Sequence, residues 1–382
     1  MKRILAICLV IGCVFQFNTV SAQQIRMSDV QISLLTADPG DDLYLVFGHS
    51  AIRVKINPIG YDTVFNYGMF DFDQPNFYIN FARGRLNYCL GTQSYNHFVS
   101  TYAYENRGIR EQVFELDSVQ TAFIVDFLNK NNQPENRHYM YHFFLDNCAT
   151  RIRDLMLAAY VGLELLPAKE HPSYRELVYQ CTQSHPWGRF LIDIALGLPT
   201  DQKTDTYEQM FLPEYMFNAF AAATHNDQSI IRQTHDVFIP DQPAISPPGP
   251  LTPMVVCCLV LALSLLFCFV KKGAKIFDVS LFGIAGLVGI VVFMLWFFTD
   301  HTNTRNNLNI IWALPTHFFM AFSLLKRERS RLTRKYFLLT AVISVLLLAA
   351  WAFLPQHLNI ALIPLVVSIA LRAFWNYRVV DF

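Results

Sequence analysis

The sequence has few charged residues and no excess of either sign. Only 16% of its 382 residues are charged, and 30 Lys and Arg balance 30 Asp and Glu. A nucleic-acid-binding protein needs a basic surface to meet the phosphates, so this balance argues against nucleic acid as the main partner. The hydrophobic content of 53% is high for a soluble enzyme, because soluble domains usually carry about 45–50% apolar residues.

The first 22 residues have the pattern of a secretory signal peptide. Lys2 and Arg3 precede an apolar core from Ile4 to Phe17, and a small-residue cleavage site ends at Ala22. An alternative is a lipobox in which Cys13 is lipid-modified, although the apolar run continues past that cysteine. Either interpretation predicts that the rest of the chain is exported.

Cysteine is scarce in the part that follows the signal peptide. Two of the eight cysteines lie before residue 22 and three lie after residue 254, which leaves Cys89, Cys148 and Cys181 between them. An odd number of cysteines in an oxidising compartment leaves at least one thiol outside any intramolecular disulfide. The sequence leaves open whether Cys89 and Cys181 are joined.

Five apolar runs near the C-terminus approach the length of a membrane span, which is about 17–25 residues. They cover residues 254–270, 279–298, 308–325, 337–354 and 358–374. A Pro-rich stretch before them cannot continue a helix and is typical of a linker. We therefore expect a signal peptide at 1–22, an exported domain at 23–240, a linker at 241–253 and a transmembrane domain of about five helices at 254–382.

The distribution of basic residues predicts the orientation of these spans. Lysines and arginines follow the first, third and fifth runs, whereas the two remaining loops carry one arginine between them. By the positive-inside rule, the preceding domain lies outside and the C-terminus lies in the cytoplasm. The signal peptide independently requires the same orientation.

The exported part has the patterns of an α+β domain with a small antiparallel sheet. Alternating and aromatic runs predict strands at residues 50–56, 62–72, 110–116 and 138–145. Ser118 can cap a helix that runs to about Asn129, and a 3.6-residue period begins after Asp146 and Asn147. Residues 170–235 have a mostly helical pattern.

Cys148 falls in the first turn of the helix that Asp146 or Asn147 caps. The free N–H groups and the dipole of a helix N-terminus stabilise a thiolate, and they can also receive an oxyanion. His49, at the entrance of a strand, is a candidate base. Asp146 opposes thiolate formation unless it caps the helix or points away. A cysteine at a helix start is also commonly just a small apolar residue, so both interpretations stay open. Zinc binding by His138, His142 and Cys148 is a weaker alternative, because the spacing matches no standard motif.

Longer stretches around His49 and Cys148 resemble a known group of enzymes. FGHSAIRV and FFLDNCATRIRD are similar to circularly permuted papain-like (NlpC-like) thiol enzymes, which include lecithin:retinol acyltransferase and the H-rev phospholipid acyltransferases. Together with the transmembrane segment, the chain resembles more closely the Lnb family of bacterial lipoprotein N-acyltransferases. The other matching stretches are VFNYGMFDFDQPNFYINFARGRLNY, NRGIREQVFEL, QPENRHYMYHFFLDNCATRIRD and DHTNTRNNLNIIWALPTH.

The resemblance implies a reaction at the bacterial inner membrane, with the catalytic domain in the periplasm and without a cofactor or metal. Cys148 would take an acyl chain from a glycerophospholipid as a thioester. The α-amine of a diacylated apolipoprotein would then receive it as an amide. His49 would act as the base, with Asn66 as the first candidate and Asp62 as the second for the residue that orients it.

Several polar residues are candidates for substrate binding or for shaping the site. The resemblance favours a substrate role for the polar loop at the predicted outer interface, although a solvated connector has the same composition. His317, in the third apolar run, is either functional or a neutral hydrogen-bonding group. Arg107, Glu111, Arg151 and Arg153 more commonly form surface salt bridges. The candidates for substrate binding are Asn147, Asp300, His301, Arg305 and Asn307.

Two other classes of function remain open from the sequence. One is a membrane-tethered thiol hydrolase, either a lipase or a peptidoglycan amidase or endopeptidase. A bundle of several spans argues against a cell-wall substrate, for which one anchor suffices, but it does not argue against a lipase. The other is a non-enzymatic lipoprotein-binding factor with an inert cysteine.

Overall fold

An antiparallel sheet of seven strands organises the first half of the protein. The computed structural model describes residues 26–70, 75–241, 249–326 and 328–378, so the predicted signal peptide and part of the predicted linker lie outside the described residues. The first six strands are β1 (Val30–Ala37), β2 (His49–Ile56), β3 (Tyr61–Met69), β4 (Asn87–Ser94), β5 (Ile109–Phe114) and β6 (His138–Met140). The chain later forms a separate hairpin, β7 (Thr224–His225) and β8 (Gln228–Ser229), and returns to the sheet as β9 (Ile231–Phe238). The order in the sheet is β6-β4-β3-β2-β1-β5-β9.

Helices cover both faces of the sheet, and together they form the sheet domain (residues 26–241). Ile52 and Phe65 face the core shared with Ile152 and Met156, whereas Ala51 and neighbouring residues pack under Phe98 on the opposite face. Both faces are therefore buried, and the second face also carries buried polar side chains such as Ser33 and Arg53. The helices are α1 (Phe77–Ala82), α2 (Tyr95–Tyr104), α3 (Ser118–Asn131), α4 (Cys148–Ala159), α5 (Tyr174–Cys181), α6 (Pro186–Ala195), α7 (Thr206–Gln209) and α8 (Pro213–Ala222).

The C-terminal part is the helical domain (residues 249–378). Two of its helices, α10 and α12, are long and apolar enough to cross a membrane, and the segments 253–269 and 308–323 form shorter apolar helices. At 1.5 Å per residue, the 24 residues of α10 extend about 36 Å, which exceeds the roughly 30 Å hydrocarbon core of a bilayer. The helices are α9 (Pro253–Phe269), α10 (Ala274–Phe297), α11 (Thr316–Ser323), α12 (Arg331–Ala350) and α13 (Leu362–Arg378).

A buried ion pair joins two helices of this domain. Arg372 of α13 donates two hydrogen bonds to Asp278 of α10, at 2.6 and 2.9 Å. Asn376, one turn further along α13, donates to the same carboxylate at 2.8 Å. All three side chains are buried, so the pair satisfies charges that would be costly alone in an apolar interior.

The sheet domain rests on the helical domain through the segment 193–201. Asn307 Nδ2 donates to the carbonyl oxygen of Ile194 at 2.8 Å, and the N–H of Gly197 donates to the carbonyl oxygen of Asn303 at 2.8 Å. A Cβ on Gly197 would lie 1.9 Å from a backbone oxygen of the opposite loop, so only glycine allows this approach. The polar loop 300–309, which we call the interdomain loop, therefore connects the two domains.

Arg175 holds the same segment from the side of the sheet domain. Its guanidinium is fully buried and pairs with both Asp193 and Asp201. The N–H donors of the guanidinium are satisfied by these two carboxylates and by backbone carbonyl oxygens. The segment is thus fixed on both sides, and with it the distance of the sheet domain from the helical domain.

The mixed α/β class with an antiparallel sheet is confirmed, but several predicted boundaries are wrong. The sheet is larger than predicted, because β1, β4 and β9 lie in sequence of mixed composition. Asp117 rather than Ser118 caps α3, since its carboxylate accepts from the N–H groups of Val119 and Gln120. The aromatic run 138–145 is a strand only to Met140 and then turns. The last part of 170–235 forms strands rather than helix.

Candidate active site

His49 and Asn66 lie on the same face of neighbouring strands. Ile52 of β2 pairs with Phe65 of β3, so Asn66 lies beside Ala51 and one diagonal step from His49, within reach of its side chain. His49 Nε2 is 3.1 Å from Asn66 Oδ1, and Asn66 is buried. Because a carbonyl oxygen only accepts, Nε2 carries the proton, and Nδ1 is the nitrogen left for another partner.

The cap of α4 places Cys148 in the first turn of the helix. Asn147 Oδ1 accepts from the N–H groups of Ala149 and Thr150, at 2.8 and 2.9 Å. Asn147 Nδ2 donates to the carbonyl oxygens of Phe143 and Phe211, at 2.7 and 2.9 Å. The cap therefore fixes the start of the helix to two neighbouring loops. The side chain of Asn147 makes no hydrogen bond to the N–H of Cys148.

Asp146 does not act as the cap. It accepts two hydrogen bonds from Arg151, at 2.5 Å from Nε and 2.8 Å from Nη2. A two-pronged arginine neutralises the carboxylate and turns it away from the helix start. In the sequence, the negative charge of Asp146 next to the thiol argues against a thiolate. In the structure, Arg151 balances this charge.

Cys148 and His49 lie side by side, and a charge on either group stabilises the opposite charge on the other. Burial opposes the thiolate, but the His49 imidazolium and its hydrogen bond outweigh burial and lower the pKa of Cys148. The backbone N–H groups of Ser50 and Ala149 act in the same direction. Burial likewise opposes the imidazolium, but the thiolate and Asn66 outweigh it and raise the pKa of His49. The geometry thus favours a thiolate–imidazolium pair, which is the reactive form of a thiol nucleophile.

Aromatic residues that the sequence analysis missed surround this pair. The Tyr102 ring stacks on the His49 ring at 6.3 Å between centroids and 16° between planes. Gly68 has a φ of +85°, and a Cβ there would lie 3.8 Å from Cys148 Cβ and 3.9 Å from Tyr141. The positive φ favours glycine at this position, and the backbone of β3 passes beside the thiol there. Tyr102 lies on α2, a helix without a clear sequence pattern, so its role was not recognisable.

Two models of protein families match the chain. The Lnb N-terminal periplasmic domain matches residues 16–180, and the Lnb transmembrane domain matches residues 245–381. Together they cover more than three quarters of the sequence. The chain belongs to the Lnb family. It is accordingly a membrane protein with a periplasmic domain, which corresponds to the sheet domain. Searches of curated proteins and of solved structures returned no match.

The other residues considered for the site of this Lnb protein have structural partners. Asp62, the second candidate for orienting His49, instead binds Arg53 at 2.7 and 2.6 Å, and Glu111 binds the same arginine. Arg153 donates to Asp154 and to a backbone carbonyl. Asn66 is therefore the polar side chain that contacts His49, and the alternative with Asp62 is wrong.

Two of the five candidate substrate-binding residues have their hydrogen-bonding capacity filled by the protein. Asn147 is buried, and its amide makes the four bonds of the cap. Asn307 is fully buried; its Nδ2 binds backbone carbonyls of α6, and its Oδ1 accepts from Asn309 and Gln356. Both residues therefore position other groups, and the substrate contacts predicted for them stay a prediction.

Of the other three candidates, Asp300 and His301 contact α1 or the segment just after it, and Arg305 lies further along the same loop. Asp300 accepts from Arg85 Nε at 2.9 Å, which lowers the pKa of the Asp300 carboxyl. His301 Nε2 is 3.1 Å from the carbonyl oxygen of Phe81. Arg305 is exposed. These residues remain candidates for contact with a substrate at the membrane surface.

The remaining expectations concern metal binding and buried polar groups. His142 contacts Thr302 of the interdomain loop at 3.0 Å, and the described residues contain no group of three or more His, Cys, Asp or Glu side chains that could hold a metal. Within the described residues, Cys89, Cys148 and Cys181 form no disulfide. His317 is buried and contacts Tyr336 Oη at 2.6 Å, which is the hydrogen-bonded arrangement considered for it.

Proposed function

We propose that the protein is a lipoprotein N-acyltransferase. It moves an acyl chain from a glycerophospholipid to the α-amine of a diacylglyceryl-cysteine lipoprotein. The observation that carries this proposal is that Cys148, His49 and Asn66 lie together in a domain that is fixed to a transmembrane domain. A thiol that can hold an acyl group, next to the membrane that contains both lipid substrates, suits acyl transfer between them.

The first half of the reaction loads the enzyme. The Cys148 thiolate attacks the carbonyl carbon of the phospholipid ester and forms a tetrahedral oxyanion. As this intermediate collapses, the ester C–O bond breaks, and the His49 imidazolium gives its proton to the leaving alkoxide. The products are a thioester on Cys148, neutral His49 and a lysophospholipid.

The second half transfers the acyl group. The free α-amine of the lipoprotein attacks the thioester, and His49 accepts the proton that the amine loses. Collapse of the second tetrahedral intermediate forms the amide and expels the thiolate, which restores the starting ion pair. Asn66 keeps the His49 ring in one orientation through both proton transfers.

The N–H of Cys148 is the proposed donor to both oxyanions. It lies at the start of α4, where the helix dipole favours negative charge. The cap uses the N–H groups of Ala149 and Thr150, so the N–H of Cys148 is the one that the cap does not use.

The architecture that we propose has five membrane spans and a circularly permuted papain-like periplasmic domain. His49 on an early strand and Cys148 at a later helix start follow the order of such a permuted fold. The two longer helices, α10 and α12, and the shorter apolar segments together supply the spans, with the C-terminus in the cytoplasm and the protein in the inner membrane. The domain limits that we propose are 1–22, 23–240, 241–253 and 254–382.

A reconstituted assay tests the proposal. The purified protein in phospholipid nanodiscs is mixed with a synthetic diacylated lipopeptide, and the peptide is analysed by mass spectrometry. We expect an added acyl chain on the α-amine with the wild type and none with Cys148→Ser. Release of free fatty acid without peptide acylation would instead identify a lipase, in which water resolves the thioester. If neither product forms, the thiol is not a nucleophile for lipids.

A further inference from the structure

The short helix α1 presents large apolar side chains to the outside of the sheet domain. Tyr78, Ile79 and Phe81 are 75%, 58% and 49% exposed. Adjacent apolar residues on one exposed helix are unusual on a surface that faces water, where large apolar patches mark sites of interaction. The helix has only six residues, so it needs its surroundings to hold it in place.

Contacts with the interdomain loop fix the height of α1 relative to the transmembrane helices. The N–H of Asp300 donates to the carbonyl oxygen of Arg83, just after α1, at 2.8 Å. Gly84 has a φ of +77°, and a Cβ there would lie 2.8 Å from the backbone nitrogen of His301. Two backbone segments therefore touch directly, which leaves little freedom for α1 to change its level.

That level is the membrane interface on the periplasmic side. The spanning helix α10 ends in Trp296 and Phe297, whose rings stack at 4.8 Å, and such aromatic residues typically lie among the lipid headgroups. Asp300 follows Phe297 by three residues, so the two lie within about 10 Å of each other along the chain. Interfacial helices bury their apolar face about 5–10 Å into the same region.

A continuous row of aromatic rings leads from α1 to the thiol. Phe77 of α1 lies 6.2 Å from Phe70, and Phe70 lies 5.1 Å from Tyr88. Tyr88 lies 4.5 Å from Tyr141, and Tyr141 borders Gly68 beside Cys148. An apolar wall of this kind offers an acyl chain contact along its length.

We propose that α1 lies in the outer leaflet of the inner membrane and that the aromatic row guides a phospholipid acyl chain from that leaflet to Cys148. The end of α1 contacts the loop that directly follows the spanning helix α10, so the occupant of the apolar face of α1 is the bilayer itself. The exposed Arg83 that follows α1 lies at the level where cations meet lipid phosphates. The second half of this proposal rests on the proposed acyltransferase function, whereas the position of α1 in the membrane does not.

Photo-cross-linking tests the position of α1 directly. Tyr78 is replaced by p-benzoyl-phenylalanine in the full-length protein, in nanodiscs of phosphatidylethanolamine and phosphatidylglycerol. The control carries the same group at Val119, which is 78% exposed on α3. After irradiation, we expect phospholipid adducts by mass spectrometry at position 78 and none at position 119. Absence of lipid adducts at position 78, or equal adducts at both positions, would overturn the proposal.

A second pair of variants tests the path to the thiol. Ile79→Asp and Val119→Asp are compared for acylation of Cys148 by nanodisc phospholipid and by water-soluble 4-nitrophenyl acetate. We expect Ile79→Asp to slow acylation by phospholipid about tenfold or more, because a carboxylate is costly at an apolar membrane position. The reaction with the soluble ester should not change, and Val119→Asp should change neither reaction.

The outcomes separate this inference from the proposed function. Unchanged phospholipid acylation in Ile79→Asp would refute the path. If Ile79→Asp also loses the reaction with the soluble ester, Phe81→Ser, which makes a smaller change, replaces it under the same criteria. Lipid adducts at position 78 with no acylation of wild-type Cys148 would confirm the membrane position of α1 and contradict the acyltransferase function.

Discussion

Replacing His49 by glutamine should make Cys148 much less reactive at neutral pH. In the structure, burial opposes the thiolate, whereas His49 and the backbone N–H groups of Ser50 and Ala149 favour it, and the variant removes the contribution of His49. Cys181 shows what burial alone does in the same domain, since burial raises the pKa of its thiol to about 11. At pH 7 a thiol with that pKa is ionised in about one molecule in 10⁴, against about 3% for an ordinary cysteine.

The expected loss of reactivity follows from these fractions. If Cys148 in His49→Gln approaches the state of Cys181, its thiolate fraction falls about 300-fold below that of an ordinary cysteine. A thiolate of higher pKa is a stronger nucleophile, with a Brønsted coefficient of about 0.4–0.5, which reduces the expected loss of rate to about 20- to 30-fold. Wild-type Cys148 starts above the ordinary thiolate fraction, because its pKa is lowered.

Alkylation by iodoacetamide measures this effect. The rate is followed from pH 5.5 to 9 by mass spectrometry of the peptides that contain Cys148 and Cys181, so that each sample contains its own control. In the wild type we expect Cys148 to react at pH values where Cys181 stays unmodified, and in His49→Gln we expect the two to become similar. Equal rates and equal pH profiles for Cys148 in wild type and variant would refute the ion pair as the source of its reactivity.

Three further substitutions test other parts of the account. Asn66→Ala removes the hydrogen bond to His49, which is worth about 1–3 kcal/mol if the ring loses its orientation. Acylation of Cys148, followed in a stopped assay, should therefore slow about 5- to 160-fold while the thermal stability is unchanged. An unchanged rate would exclude an orienting role. Asn147→Ala should lower the unfolding free energy by about 1–2 kcal/mol, measured by denaturation in detergent; an unchanged unfolding free energy would contradict the capping role. Arg372→Ala leaves Asp278 buried without its partner and should lower the unfolding free energy, measured in the same way, by about 3–5 kcal/mol. The double variant with Asp278→Ala should recover part of this loss. No recovery would contradict a direct pairing.

The proposed Cys148–His49 pair could be predicted because its signals are local or lie in longer motifs. Gly48 before a strand placed His49, and an Asx residue before a 3.6-residue period placed Cys148 at a helix start. Joining the two across almost a hundred residues required the resemblance to a family. The choice between Asp146 and Asn147 as the cap could not be made from the sequence, because both side chains can cap a helix and only the position of Arg151 separates them.

The contacts of the interdomain loop could not be predicted, because they join segments that are distant in the sequence. Asn307 and its neighbours have the composition of a solvated loop, yet Asn307 is fully buried because backbone carbonyls of α6 need donors at the interface. Exposed apolar residues on α1 resemble a core segment in the sequence, and only the structure shows that they face outward. The polar and apolar patterns therefore indicated element types but not their partners.

The N-terminal peptides of lipoproteins from living cells test the central proposal most directly. Cells with the wild-type gene, with Cys148→Ser or with no copy are compared by mass spectrometry of these peptides. We expect the acyl chain on the α-amine in the wild type only, with diacylated lipoproteins accumulating in the other two strains. N-acylation that is equal in all three strains would contradict the acyltransferase function.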